Sequence, residues 1–401
     1  MKKAVMILMI LLSVIGLNKI NAQGEAAVPF LLLAPDSRAG GIGESGSGLA
    51  DNSSAIFWNP AGIAFLSGSE VGVTHSNWLP QFNLDIFYDY LTYRQYIEDI
   101  SGSVTASVTY MNYGEFVRTG SNDPTPLGTF RSFDAAFTAG YATKLSNDWG
   151  LGVNFRLIYS RLSDKPTEAE QGSGTATTIS FDVSTMWRPE SLYVPFIGEM
   201  GNRFSVGVNL SNIGPKIYYI DQAQADPIPQ NFRLGFAVRV FEDEFNSLTY
   251  TLDFSKLLVD KGVSKTDSGL TGENAEDDTT TVKRKDFYEA LFTAWADQSF
   301  GEELRDIVTS MGLEYWYGVS GDFMFALRAG YFYEDPSFGN RKFVTLGAGI
   351  RYDLYGFDFS YLTTDMFKNG ENHPLNNTLR FTLSIGWGGQ PQKNIGFPRG
   401  I

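Results

Sequence analysis

The sequence predicts an all-β fold: a transmembrane antiparallel β-barrel of about fourteen strands, of the outer-membrane type, with an N-terminal plug and a helical insertion in one external loop. Three observations carry this. From about Val71 to Trp387 the chain consists of short segments in which every second residue is apolar. The connections between them alternate between short and long. No run approaches the roughly 18 to 20 apolar residues that a spanning helix needs.

The last segment shows the alternation most clearly. Leu379, Phe381, Leu383, Ile385 and Trp387 share one face, and Arg380, Thr382, Ser384 and Gly386 share the other. Successive side chains of a strand point to opposite faces, so one side is greasy and the other wet. In a closed sheet the first meets lipid and the second lines the lumen. Val344, Leu346, Ala348, Ile350 and Tyr352 repeat the pattern, as do Phe232, Leu234, Phe236, Val238 and Val240. Strand candidates lie near 70–78, 83–93, 103–112, 132–145, 149–162, 176–188, 202–213, 231–241, 247–257, 310–318, 322–334, 342–353, 355–364 and 379–388.

Connection lengths give a second check, because such barrels alternate short periplasmic turns with long external loops. Ser146 to Asp148, Glu242 to Asn246, Val319 to Gly321 and Leu354 are tight. Tyr113 to Arg131, Ser163 to Thr175, Gly214 to Gln230, Leu258 to Thr309 and Thr364 to Thr378 are long. This parity puts both termini in the periplasm. Pro189 to Gly201 is the exception, a long connection on the short side.

The N-terminus reads as an export signal over residues 1–22. Lys2 and Lys3 precede an apolar run from Ala4 to Leu17, and small residues around Ala22 suit a cleavage site. Cysteine is absent, as a closed barrel with every strand paired allows. The formal charge of −14 argues against nucleic acid as a partner. Aromatics at 14% and 42 glycines suit interfacial belts and tight turns. The mean hydropathy of −0.14 is no objection, since only alternate residues face lipid.

Residues 23–69 are glycine-rich and not strand-like, and are expected to fill the lumen of the 70–388 barrel as a plug. Residues 389–401 are expected to be a periplasmic tail. The largest insertion, 258–309, holds a polar, charged stretch over 260–286 and continues with two helix signals. Asp286 with Glu289, and Ser299 with Glu302, have capping-box spacing. Phe287, Leu291 and Trp295 fall at i, i+4 and i+8, one face of a helix.

Several motifs invite sharper readings. Gly41-Ile42-Gly43-Glu44-Ser45-Gly46 fits the dinucleotide pattern G-x-G-x-x-G, but it lies shortly after an export signal and lacks the strand–helix context that pattern needs. A tight-turn or close-packing role is the better reading. Only His75 and His373 are available as catalytic bases, and nothing in the spacing selects a serine partner for either. The acidic stretch Glu273 to Asp278 lacks EF-hand spacing. No catalytic residue, metal or cofactor is expected. Arg156, Arg233, Arg239, Arg328, Arg351 and Arg380, with Asp182, Asp253, Asp353, Asp358 and Glu314, are expected inside. They read as a charged conduit or as paired charges that hold barrel and plug together. The second reading is favoured, because open pores take 16 to 18 strands.

The N-terminal residues also carry a resemblance. Ala27 to Leu31, then Ala34-Pro35-Asp36-Ser37-Arg38-Ala39-Gly40-Gly41, then Trp58-Asn59-Pro60-Ala61-Gly62, resemble the PorV family, also called LptO. The family usually has Ala where Ser37 stands. Glu302-Glu303-Leu304 and Gly312 to Tyr317 are similar as well. The Asn-Pro-Ala element is shared with wider FadL-like barrels. The resemblance implies a fourteen-stranded FadL-like barrel of the Gram-negative Bacteroidetes outer membrane, within the type IX secretion system. It implies as partners the giant translocon barrel Sov/SprA, the C-terminal domains of secreted cargo and the PorU attachment complex, besides outer-membrane lipid. Pro35, Asp36, Arg38, Gly40, Trp58, Asn59 and Pro60 are its plug motif.

The sequence is therefore expected to encode a non-enzymatic shuttle and cargo receptor. Its contact residues are expected on external loops, with Trp78, Phe287, Tyr288, Leu291, Phe292 and Trp295 as candidates. The rival readings are a transporter of hydrophobic small molecules and, behind it, a lipid-A-modifying hydrolase.

Overall fold

A computed structural model of the protein describes residues 26–119, 125–163, 173–220, 222, 225–259, 263–264, 282–283, 285–319, 323–367 and 373–388. The expected export signal, the acidic stretch Glu273 to Asp278 and the expected C-terminal tail lie outside these residues.

The strands are β1 Ser69–Asn77, β2 Phe87–Ile97, β3 Gly102–Thr119, β4 Pro126–Lys144, β5 Trp149–Arg161, β6 Thr175–Trp187 and β7 Phe204–Ile213. They continue as β8 Asn231–Glu242, β9 Asn246–Leu257, β10 Val308–Gly318, β11 Phe323–Tyr333, β12 Lys342–Tyr352, β13 Tyr355–Thr363 and β14 Thr378–Trp387. Each pairs antiparallel with its chain neighbours, and β14 closes the barrel on β1 with Val73 opposite Leu383 and His75 opposite Phe381. Closure leaves no edge, the condition for a sheet to span hydrocarbon.

The period-2 pattern sets the two surfaces. On β14, Leu383 is 61% exposed and Arg380 only 1%. Rows of aromatic side chains mark both ends. At the end carrying the short turns, Trp149 packs on Trp187 and Trp187 on Phe204, with centroids 6.2 and 6.1 Å apart. At the loop end a row runs through His75, Phe87, Tyr110, Phe133 and Tyr159 at spacings of 5.5 to 6.1 Å. Such girdles mark the two interfaces of an outer-membrane barrel.

Four expectations need correction. The long loop expected over Tyr113 to Arg131 is mostly strand, because β3 and β4 run on as a hairpin with Phe116 stacked on Phe130. A bulge between Asn112 and Gly114 shifts the register there. A bulge swaps the faces of every later residue, so simple alternation stops short of it. Asp353 is not in the lumen; it sits exposed in the β12–β13 turn at φ 51°, a conformation Asp tolerates better than most. In the large insertion, α-helices form at Phe287–Thr293 and Phe300–Arg305. The Ser299–Glu302 capping box forms, but Asp286 does not cap its helix; its carboxylate accepts the Tyr288 hydroxyl. Trp295 lies beyond the end of the first helix, so it does not extend that helix face.

Candidate functional site

The plug occupies the lumen. It consists of 3-10 turns at Pro29–Leu32 and Pro60–Phe65 and short helices at Ser37–Gly41 and Ala55–Trp58. Its two sides differ. Val28, Phe30, Ile56, Ile63 and Phe65 form one apolar core with Tyr88, Tyr90, Met111, Ile158 and Met186 of β2 to β6. The other side is ionic and faces β9 to β14.

Asp36 and Arg38 organise the ionic side. Asp36 caps the helix Ser37–Gly41 by accepting the Ala39 N–H at 3.0 Å, and it accepts the Trp58 indole N–H at 2.6 Å. Burial pushes its carboxyl up from the ordinary value, and those two donors oppose the push. Arg38 donates to Asp51 and, from Nε and Nη2, to both oxygens of Glu314 at 2.8 and 2.7 Å. Burial would lower its pKa, but Asp51 and Glu314 outweigh that and hold the guanidinium charged. Glu314 also accepts from Arg328, Arg328 donates to Asp358, and Asp358 accepts from Arg351. Alternating charges thus run from plug to wall. Arg156–Asp182, Arg94–Glu70 and Arg380–Glu44 add further pairs. Of the two readings of these charges, pairing is the one the geometry supports.

The rest of the plug motif is packed into the wall. The Asn59 side chain donates to the Thr185 carbonyl and accepts the Ala61 N–H. Arg233 stacks over Trp58, 4.7 Å from its centroid. Pro35 is buried, and Gly40 lies against Arg380 and Ser360. Pro60 starts its 3-10 turn against Gly152. Here the sequence reading missed something. Glycines on the inner face of several strands are the plug's seats: Gly152 under Pro60 and Ala61, Gly235 under Gly48, Gly312 under Ile42, Gly330 under Gly43. A Cβ at any of them would overlap plug backbone. The signal was visible as glycine at lumen-facing positions. The G-x-G-x-x-G segment is part of this contact, with Gly43 at φ 73° against Tyr331 and Gly46 against the Trp58 ring, so it serves close packing.

At the loop end, Val308, Phe332, Phe343, Leu362 and Leu375 cluster inside the barrel, with Phe332 and Phe343 stacked at 4.5 Å. Trp78 packs half-buried against this cluster, and Arg380 lies 5.7 Å from its ring. Below it a cavity of about 60 Å³ is lined by Glu44, Trp58, Arg233, Asp253 and Phe332 among others.

The other loop candidates sit apart from Trp78. Trp295 packs edge-on against Phe232 of β8 at 5.1 Å and donates to the Leu291 carbonyl. Phe287 packs edge-on against Tyr288 and, like Leu291, is half-buried. Tyr288 and Phe292 are exposed, Phe292 at 80%. The helical segment is thus tethered to the outer wall and offers these two rings outward. His75 faces outward and meets Asp89 at 2.7 Å, and His373 accepts the Leu375 N–H. Neither bonds a serine hydroxyl among the described residues.

A sequence-family model described as "Type IX secretion system protein PorV" matches residues 18–263, more than half of the chain. The chain belongs to the PorV family. No curated protein matches it. In fold it is similar to the Ralstonia pickettii toluene transporter TbuX, at 9% identity over 88% of this chain and 97% of that one, TM-score 0.46. It is also similar to a Pseudomonas aeruginosa FadL homologue, at 12% identity over 88% and 98%, TM-score 0.47. A third is the P. putida toluene transporter TodX, at 10% identity over 92% and 99%, TM-score 0.47. Membership of the PorV family makes this barrel an outer-membrane component of type IX protein secretion.

Proposed function

We propose that the protein is a non-enzymatic cargo receptor and shuttle of type IX secretion. It binds the giant translocon barrel, takes up secreted cargo by the cargo's C-terminal domain and passes it to the attachment complex. The observation that carries this reading is the plug, clasped by Arg38, Asp51, Glu314, Arg328 and Asp358 and seated on backbone-close glycines. A lumen so filled favours work at the surface. The external loops supply contact area, with Phe292 and Tyr288 of the first insertion helix and Phe300 of the second exposed to a partner.

A second reading, transport of a hydrophobic small molecule, draws on a groove of about 750 Å³ at the loop end. Outward Ile179 and inward Thr178 both line it, and the β6–β7 pairing ends at Phe181 and Ile213. The lipid-A hydrolase reading has no such support, since it needs a Ser–His pair and His75 faces Asp89.

Pull-down of the tagged protein from native membranes separates them. Co-purification of a giant barrel and secreted cargo supports the shuttle; bound fatty acid without either supports transport.

A further inference from the structure

The connection that breaks the short–long parity, between β6 and β7, is an ordered hairpin with an apolar tip. Tyr193–Val194 pairs with Gly198–Glu199 around Pro195, Phe196 and Ile197. Phe196 is fully exposed, and Tyr193 and Ile197 are 73% and 70% exposed. The base is held firmly. The N–H groups of Arg188 and Glu190 donate to the carbonyl and carboxylate of Asp148, in the β4–β5 turn. Asn202 bonds Pro189 and Glu190, and the Arg203 guanidinium donates to the carbonyls of Arg239 and Val240 on β8. Inside the hairpin, Glu199 accepts the N–H groups of Leu192 and Gly201 at 2.7 and 2.8 Å. Those two donors hold its carboxyl below the usual range.

A water-facing turn of this rigidity would carry polar residues. This one presents Tyr, Val, Pro, Phe and Ile with no charge among them. Phe196 also sits at φ 70°, a left-handed conformation glycine adopts without strain and Phe does not. An aromatic kept at such a position points to work done by its ring.

The neighbours say what covers the tip. Trp187 leads into the hairpin and Phe204 leads out, and both belong to the outward belt with Trp149. Phe241 and Phe245, on and beside β8, are exposed at the same rim. The hairpin therefore grows out of the lipid-facing girdle at its aromatic-rich sector and continues it in composition. We propose that Tyr193, Phe196 and Ile197 insert into the lipid headgroup–acyl boundary at the turn end of the barrel, as a monotopic anchor beside the spanning strands. Interfacial elements of this kind bury their apolar face about 5–10 Å deep. The inference goes beyond the secretion role and is independent of which partners the loops bind.

The absence of cysteine allows a clean test on the full mature chain. Phe196→Cys and Ile197→Cys are each labelled with bimane and reconstituted in phosphatidylethanolamine–phosphatidylglycerol vesicles containing doxyl-labelled phosphatidylcholine. Asn147→Cys, in the exposed polar β4–β5 turn, is the reference. The expected result is several-fold stronger quenching by lipid-borne doxyl at 196 and 197 than at 147, with protection from aqueous iodide. Labels at both tip positions that are quenched by iodide as strongly as at 147, and not by doxyl, overturn the anchor and leave the tip to a water-borne protein partner.

Discussion

Arg38 of the plug forks onto Glu314 of β10, with Nε 2.8 Å from Oε2 and Nη2 2.7 Å from Oε1. Both side chains are buried, and each has a second opposite charge, Asp51 for Arg38 and Arg328 for Glu314. The pair joins residues 276 positions apart in the chain.

Removing Arg38 takes the buried ion-pair partner from Asp51 and leaves Glu314 with Arg328 alone. Arg38→Ala is expected to cost about 3–5 kcal/mol. Arg38→Met combined with Glu314→Met should cost less than Arg38→Ala, because neither orphan charge of the fork remains, although Asp51 and Arg328 each lose a partner. Urea unfolding in lipid vesicles measures both. Equal stability of Arg38→Ala and the parent would show that the clasp does not hold the plug.

The lipid face predicts a different asymmetry. Leu383→Arg places a charge against hydrocarbon and should destabilise by roughly 2–4 kcal/mol if it lies near the midplane. Ser384→Arg turns toward the lumen and should cost less. Refolding into vesicles checks the order, and a reversed order contradicts the inside–outside register of β14.

The glycine seats give a third. At Gly152 a side chain would meet Pro60 and Ala61 backbone, with no flexible neighbour to yield. Gly152→Val should therefore leave the strands paired but lift the Pro60–Phe65 turn, at a cost of about 1–3 kcal/mol from overpacking. Amide hydrogen exchange reads this directly: faster exchange across residues 55–65 with β5 and β6 unchanged. Unchanged exchange in the plug would mean the seat has room to spare.

Much of this architecture was legible because a lipid-facing strand has no choice about its period. Every expected strand is present, and the inward arginines and carboxylates are where alternation puts them, apart from Asp353 in its turn. The errors fall where local pattern and geometry part company. The Asn112–Gly114 bulge inverts the faces of the β3–β4 hairpin, so its outer half read as loop. Trp295 fits a helical stripe by spacing, yet the helix stops at Thr293 and the ring folds back onto Phe232. The plug was legible as lumen filling, and the inward glycines that seat it were visible, but not which plug residue each one faces. Gly235 and Gly48 lie far apart in the chain, and no short-range rule relates them.

The receptor reading is tested most directly at Tyr288 and Phe292, the two rings that the tethered helical segment turns outward. Tyr288→Ser with Phe292→Ser should leave barrel stability unchanged, because neither ring is buried in the fold. The measurement is the amount of translocon barrel and cargo that co-purifies with the tagged protein from native membranes, normalised to the tagged protein itself. A several-fold loss of co-purification, with secreted proteins accumulating in the periplasm, is the predicted result. Undiminished co-purification and normal secretion from this variant would contradict the placing of the partner surface on this loop.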